Sequence, residues 1–179
     1  MSSVPLHPAL VHIPLALAML APVVTIAFAW GLWSQRLRPR SWVIVVLLLA
    51  TLLGAGLVAL KTGQNEEDRV EAVVPEGAIA RHEALAEQFL WVTGVSLALA
   101  GMVLVLRRPV AVRAAVAAAV LGSFVVTAAA LRVGRAGGEL VYVHNAARAY
   151  VTPNSAGAEA KGSTTATPEN PKQKDADDD

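Results

Sequence analysis

The sequence predicts an all-α fold: a bundle of four transmembrane helices followed by a disordered polar tail. Three observations predict it. The 179 residues are 55% hydrophobic and 16% charged, against about 45–50% and about 25% in soluble domains. Mean hydropathy is +0.51. The apolar residues gather in four charge-free runs, 13–33, 42–60, 89–106 and 114–131, of 21, 19, 18 and 18 residues. Each falls within the roughly 17–25 residues that a helix needs to span hydrocarbon. The runs also lack the polar positions, every third or fourth residue, that mark a helix of a soluble bundle.

The first helix is expected over about 9–33. No Lys or Arg precedes Arg36, so the segment lacks the basic start of a signal peptide and reads as a retained helix. Pro14 and Pro22 each remove a backbone donor and favour a kink. The second, third and fourth helices are expected over about 42–61, 83–106 and 111–133. Gly137-Gly138 reads as a turn. A short interfacial helix over about 139–150 follows, with Leu140, Val143, Ala147 and Val151 at helical spacing. The membrane domain thus covers 5–151. The tail, 152–179, is rich in Pro, Ser, Thr, Gly, Lys and acid and ends DADDD; it cannot bury a core and is expected to be disordered. Truncation after Val151 should leave a folded, membrane-inserted protein. A large fall in melting temperature on truncation would show that the tail docks.

Charge sets the orientation. The loop after the first helix holds Arg36, Arg38 and Arg40, and the loop after the third holds Arg107, Arg108 and Arg113; all 14 Asp and Glu lie elsewhere. The positive-inside rule puts both short loops in the cytoplasm. Both termini and the 61–88 connection then lie outside the cytoplasm, in a bacterial inner membrane. Trp30, Trp33 and Trp42 would form the cytoplasmic aromatic belt. Small residues at i, i+4 spacing (Ala50 and Gly54, Gly94 and Ala98, Ala118 and Gly122) permit close helix approach.

A faint repeat suggests two tandem helical hairpins. Ala-Leu-Lys-Thr-Gly at 59–63 and Ala-Leu-Arg-Val-Gly at 130–134 stand 71 residues apart, and His12 and His82 stand 70 apart. Hairpins with the same membrane direction would be parallel repeats about an axis along the membrane normal. The alternative is that any outgoing helix ends in a cation and a glycine.

The absence of cysteine excludes disulfides, thiolate metal sites, iron–sulfur clusters and covalently attached haem. No hydrolase constellation, phosphate loop or nucleic-acid patch is visible, and no enzymatic activity is assigned. The chemistry rests on four histidines, His7, His12, His82 and His144, all at the outer boundary under this topology. His12 begins a charge-free run, and an ionisable residue at membrane depth is a functional candidate by default. Imidazole suits haem iron, copper, zinc and non-haem iron. His12 and His82, one from each hairpin, would suit bis-axial ligation of a haem b between helices. His7 and His144 could complete a zinc set of three or four ligands instead. Lys61, Arg132 and Arg135 lie at the same boundary and could pair with propionates; snorkelling helix-end cations are the plainer reading.

The opening HPALVHIP, the HEALAE at the third helix and GGELVYVHNA after the fourth resemble an uncharacterised family of bacterial four-helix membrane proteins, the domain of unknown function numbered twenty-two thirty-one. Its pattern begins His-Pro-x-x-Val-His-Phe-Pro, which His7, Pro8, Val11, His12 and Pro14 match. It ends Gly-Gly-x-Leu-Val-Tyr-x-His-Gly, which Gly137, Gly138, Leu140, Val141, Tyr142 and His144 match. Ile13 and Asn145 depart from it; Asn145 still tolerates a left-handed backbone. The resemblance covers about 5–150 and implies the fold and topology but no activity. The leading expectation is a membrane redox protein binding haem b, or a metal such as zinc or copper, with the bilayer and a redox partner or quinone as its partners. The alternative is a structural or interaction subunit without a cofactor. A small transporter fits less well, because the membrane interior lacks charge.

Overall fold

The structure is a computed structural model that describes residues 6–150, and all regular structure within them is helical. A short helix α1 (Leu6–Leu10) leads into α2 (His12–Trp33). A 3-10 turn at Pro39–Trp42 opens α3 (Val43–Gln64). The short α4 (Glu67–Glu71) precedes α5 (Glu76–Val105) and α6 (Pro109–Tyr142), and a second 3-10 turn covers Ala146–Tyr150. Four segments are long and apolar enough to cross a membrane: His7–Trp33, Pro39–Gln64, Glu76–Val105 and Pro109–Tyr142. These are the four expected spans. The tail assigned to 152–179 lies outside the described residues.

The helices form a ring in which α2 packs on α3 and α6, and α5 packs on α3 and α6. Its outer surface is apolar: Val23, Leu47, Val95 and Leu121 are all more than half exposed. The interior is built from small and hydroxyl side chains, with Ala18, Ala21, Ala100, Ala119, Thr25, Thr93, Ser96 and Ser123 buried. Lipid tails are as apolar as leucine, so helices in a membrane associate by close packing and hydrogen bonds. Thr127 supplies one such bond, its hydroxyl donating across the α6–α2 seam to the Ala18 carbonyl at 2.7 Å.

Close approach occurs at glycines other than most of those expected. A Cβ on Gly122 would meet Ser96 Oγ at 2.8 Å, and one on Gly56 would meet Leu90 Cδ2 at 2.7 Å. Gly54 and Gly94 have open space where a Cβ would point: Gly54 is exposed on α3, and Gly94 lines an open groove beside it.

Several boundaries differ from expectation. α5 starts at Glu76, seven residues early, with Pro75 before it and Glu76 in its first turn, where a carboxylate favours the helix dipole. α6 runs unbroken to Tyr142. The expected turn at Gly137-Gly138 and the separate helix after it are therefore corrected: neither glycine has positive φ, and both continue the helix. The chain leaves α6 at Asn145 instead, in the left-handed region with φ 55°. Pro14 falls in the first turn of α2, where no intrahelical bond is lost, while Pro22 lies inside the helix. Trp42 is not part of an aromatic belt. The 3-10 turn directs its ring inward, where it is fully buried, and its Nε1–H donates to the Ala100 carbonyl at 2.9 Å. Trp30 and Trp33 stay on the outer surface, with the Arg36 guanidinium 4.8 Å from the Trp30 ring. The Trp42–Ala100 bond brings the two arginine loops to one end of the bundle.

Many buried positions of the two hairpins match, in a register of 74–75 residues rather than 70–71. Pro14, Ala18, Ala21 and Thr25 of α2 are buried, and so are Phe89, Thr93, Ser96 and Ala100 of α5, each 75 residues later. Val45, Leu49, Leu52 and Gly56 of α3 are buried, and so are Ala119, Ser123, Val126 and Ala130 of α6, each 74 residues later. In this register His7-Pro8-Ala9-Leu10 aligns with His82-Glu83-Ala84-Leu85. The inward face sets the true register. The cation-and-glycine endings that suggested the other one include the exposed Lys61, Arg132 and Gly134, which packing does not constrain.

Candidate functional site: a histidine pair on the repeat

At the end of the bundle opposite the arginine loops, the His7 and His82 rings lie 6.5 Å apart between centroids, with planes 85° to one another. In the 75-residue register they are equivalent residues. Each is brought there in the same way, by the first turns of its hairpin, and each rests on the outgoing helix of that hairpin. A Cβ on Gly63 would lie 3.0 Å from His7 Cε1, and one on Gly137 would lie 3.3 Å from His82 Cε1. Gly63 and Gly137 are themselves 74 residues apart. The glycines therefore form matching floors beneath the two rings. This explains why α6 accepts a glycine that costs about 1 kcal/mol of helix propensity relative to alanine.

His7 is held firmly. Its Nδ1 lies 2.9 Å from the Ala59 carbonyl oxygen, one turn before Gly63. A carbonyl only accepts, so Nδ1 carries the proton and neutral His7 presents an unprotonated Nε2. The Thr62 hydroxyl donates to the same carbonyl at 2.9 Å, and the His7 backbone N–H donates to Glu66 Oε1 at 3.4 Å. In the second hairpin the Val133 backbone lies against His82 in the place that Ala59 takes against His7, but without hydrogen-bond geometry for Nδ1. The His82 Nδ1 is buried and unpartnered.

The surroundings are acidic and cross-tied. Gln64 Nε2–H donates to Glu83 Oε1 at 2.7 Å, joining α3 to α5. Arg81 pairs with Glu139 at 2.9 Å on the surface, a contact worth about 0–1 kcal/mol. Partial desolvation, then the carboxylates of Glu83, Glu71 and Asp68, hold the Glu67 carboxyl above its ordinary range.

The four histidines do not converge as a set. His12 is exposed at the start of α2, and His144 lies beyond α6; neither makes a ring contact with the pair. Lys61, Arg132 and Arg135 are exposed. Among the described residues, no three His, Asp, Glu or Cys side chains are grouped as metal ligands. The residues missed from sequence are Gly63, Gly137 and the Ala59 carbonyl. The signal that could have found them is the His-x-Ala-Leu shared by 7–10 and 82–85.

Fold and site together define a four-helix membrane protein with a pair of histidines, 75 residues apart in the chain, at one end. The chain belongs to the family described as predicted membrane protein (DUF2231), which matches it over residues 3–149. No curated protein and no solved structure matches the chain.

Proposed function

We propose that this chain is a redox protein of the bacterial inner membrane that binds haem b between His7 and His82 on the outer side. The observation that carries the reading is the pair itself: two imidazoles on equivalent positions of two hairpins, 6.5 Å apart. His7 and His82 are the residues that would hold such a group, because imidazole is a ligand suited to haem iron. Donation of Nδ1–H to a backbone carbonyl, as His7 makes to Ala59, is the usual way of fixing a ligating imidazole. Haem is favoured over bare zinc by ligand number. A haem would need two protein ligands, which His7 and His82 would supply, whereas zinc asks for three or four. When bound, the haem would supply one-electron transfer chemistry.

Orientation follows from the six exposed arginines at the opposite end. Reporter fusions at Arg38 and Pro109 should report cytoplasm, and fusions after Val151 the outside. Reversed signals would move the histidine pair to the cytoplasmic face.

The cofactor reading is tested on protein purified after expression with ample haem and metals, by a reduced-minus-oxidised spectrum and elemental analysis. His7→Ala and His82→Ala should each abolish the haem band, and His12→Ala should leave it. A colourless, metal-free parent protein would overturn the reading. A second reading, a helix-tying cluster without cofactor, is favoured by the bonds from His7 to Ala59 and from Gln64 to Glu83. Under it, His7→Ala lowers the melting temperature and no band exists to lose.

A further inference from the structure

The two halves of the bundle match closely, so a place where they differ stands out. One such place is the seam between α3 and α5. A groove of about 420 Å³ opens there, lined by Leu53, Leu57, Glu87, Leu90, Trp91 and Gly94. The equivalent seam lies between α6 and α2. In the repeat register Gly94 corresponds to Met19 and Trp91 to Ala16. Leu53 corresponds to Thr127, which bonds across that seam to Ala18. One seam is therefore stitched and carries a long side chain. The other is unstitched, carries glycine, and adds a carboxylate and an indole.

We infer that the α3–α5 groove binds a lipid-soluble quinol, with its hydroxyl on Glu87, its ring against Trp91 and its tail along Leu53, Leu57 and Leu90. Glu87 is exposed and makes no hydrogen bond or ion pair among the described residues. It stands two residues before the third apolar run, at the edge of the membrane-spanning segment, where an ionisable side chain is a functional candidate. The only charge lining the groove is acidic. That disfavours a phosphate headgroup and favours a neutral O–H donor, which a carboxylate binds by a short, charge-assisted hydrogen bond. Trp91 is 77% exposed and offers the flat face that an aromatic ring stacks on. The remaining lining is apolar. The inference does not depend on what the histidine pair holds.

The test is equilibrium binding of a decyl-tailed benzoquinol, and of its dimethyl ether, to the full chain in lipid nanodiscs. The ether keeps the ring and tail but cannot donate. The parent should bind the quinol about tenfold more tightly than the ether, and Glu87→Gln should remove that difference. Gly94→Met, which copies the other seam, should weaken both at least about tenfold with an unchanged melting temperature, because a Cβ at Gly94 meets nothing within 4 Å. If that variant expresses poorly, Leu57→Trp narrows the same groove from an exposed position. Equal binding of quinol and ether by the parent would overturn the proposal in favour of a lipid-tail groove. Parent-like quinol binding by Gly94→Met or Leu57→Trp would show that the quinol sits elsewhere.

Discussion

Replacing Trp42 with alanine should destabilise the bundle by about 3 kcal/mol, the low end of the range for deleting a large buried aromatic. The side chain is fully buried at the junction of the 3-10 turn with α5. In a bilayer the transfer of apolar surface out of water contributes little between helices. What is lost is dispersion contact around the cavity and the bond from Nε1 to the Ala100 carbonyl, which is left with its helical partner alone. Trp42→Phe separates the terms: it keeps most of the packing and should cost about 1 kcal/mol, the net value of one hydrogen bond. Thermal unfolding in detergent or nanodiscs reads both. Near-parental stability of Trp42→Ala would mean that the ring belongs to the lipid interface after all.

If the histidine pair holds haem as proposed, Gly63→Leu and Gly137→Leu should each abolish that binding while leaving an inserted, helical bundle. The Cβ alone comes within 3.0 Å of the His7 ring and 3.3 Å of the His82 ring, and the rest of a leucine side chain needs the space the imidazole occupies. Overpacking of this kind costs about 1–3 kcal/mol, which a four-helix bundle can bear, but the two rings can no longer keep their separation. Alanine at Gly137 is the graded control: at 3.3 Å the ring has to give by only a few tenths of an ångström, and part of the binding should survive. Haem stoichiometry is measured beside the melting temperature. A fully loaded Gly137→Leu protein would show that His82 does not bind the cofactor from this position.

The spans were legible because membrane insertion depends on runs of apolar residues, and 13–33, 42–60, 89–106 and 114–131 are such runs. The ends of α5 and α6 were not. Glu76 to Gln88 and Arg132 to Tyr142 carry charge and glycine, so hydropathy falls there while the backbone remains helical. Trp42 looked like a belt residue because a tryptophan beside arginines at a helix end usually is one. Only the 3-10 turn decides that this ring faces inward. The histidine end was legible as a location, but the choice of pair was not. His12 and His82 looked equivalent by counting from the helix-end cations, which face outward and drift freely. The buried faces set the register, and they put His7, not His12, opposite His82.

The lengths of the helices have a consequence for where the pair sits. At 1.5 Å per residue, the 22 residues of α2 and of α3 match a hydrocarbon layer of about 30 Å with little to spare. The 30 residues of α5 and the 34 of α6 run about 45 and 50 Å, and the excess lies at the histidine end. His82 is seven residues outside Phe89, where the apolar run begins, and so stands about 10 Å above that edge. In a bilayer centred on the apolar runs the rings would occupy a ledge in the headgroup layer. A thicker bilayer would submerge that ledge and a thinner one would lift it further into water, at a cost of fractions of a kcal/mol per Å of mismatch. Bilayer thickness would then act directly on the solvation of this pair.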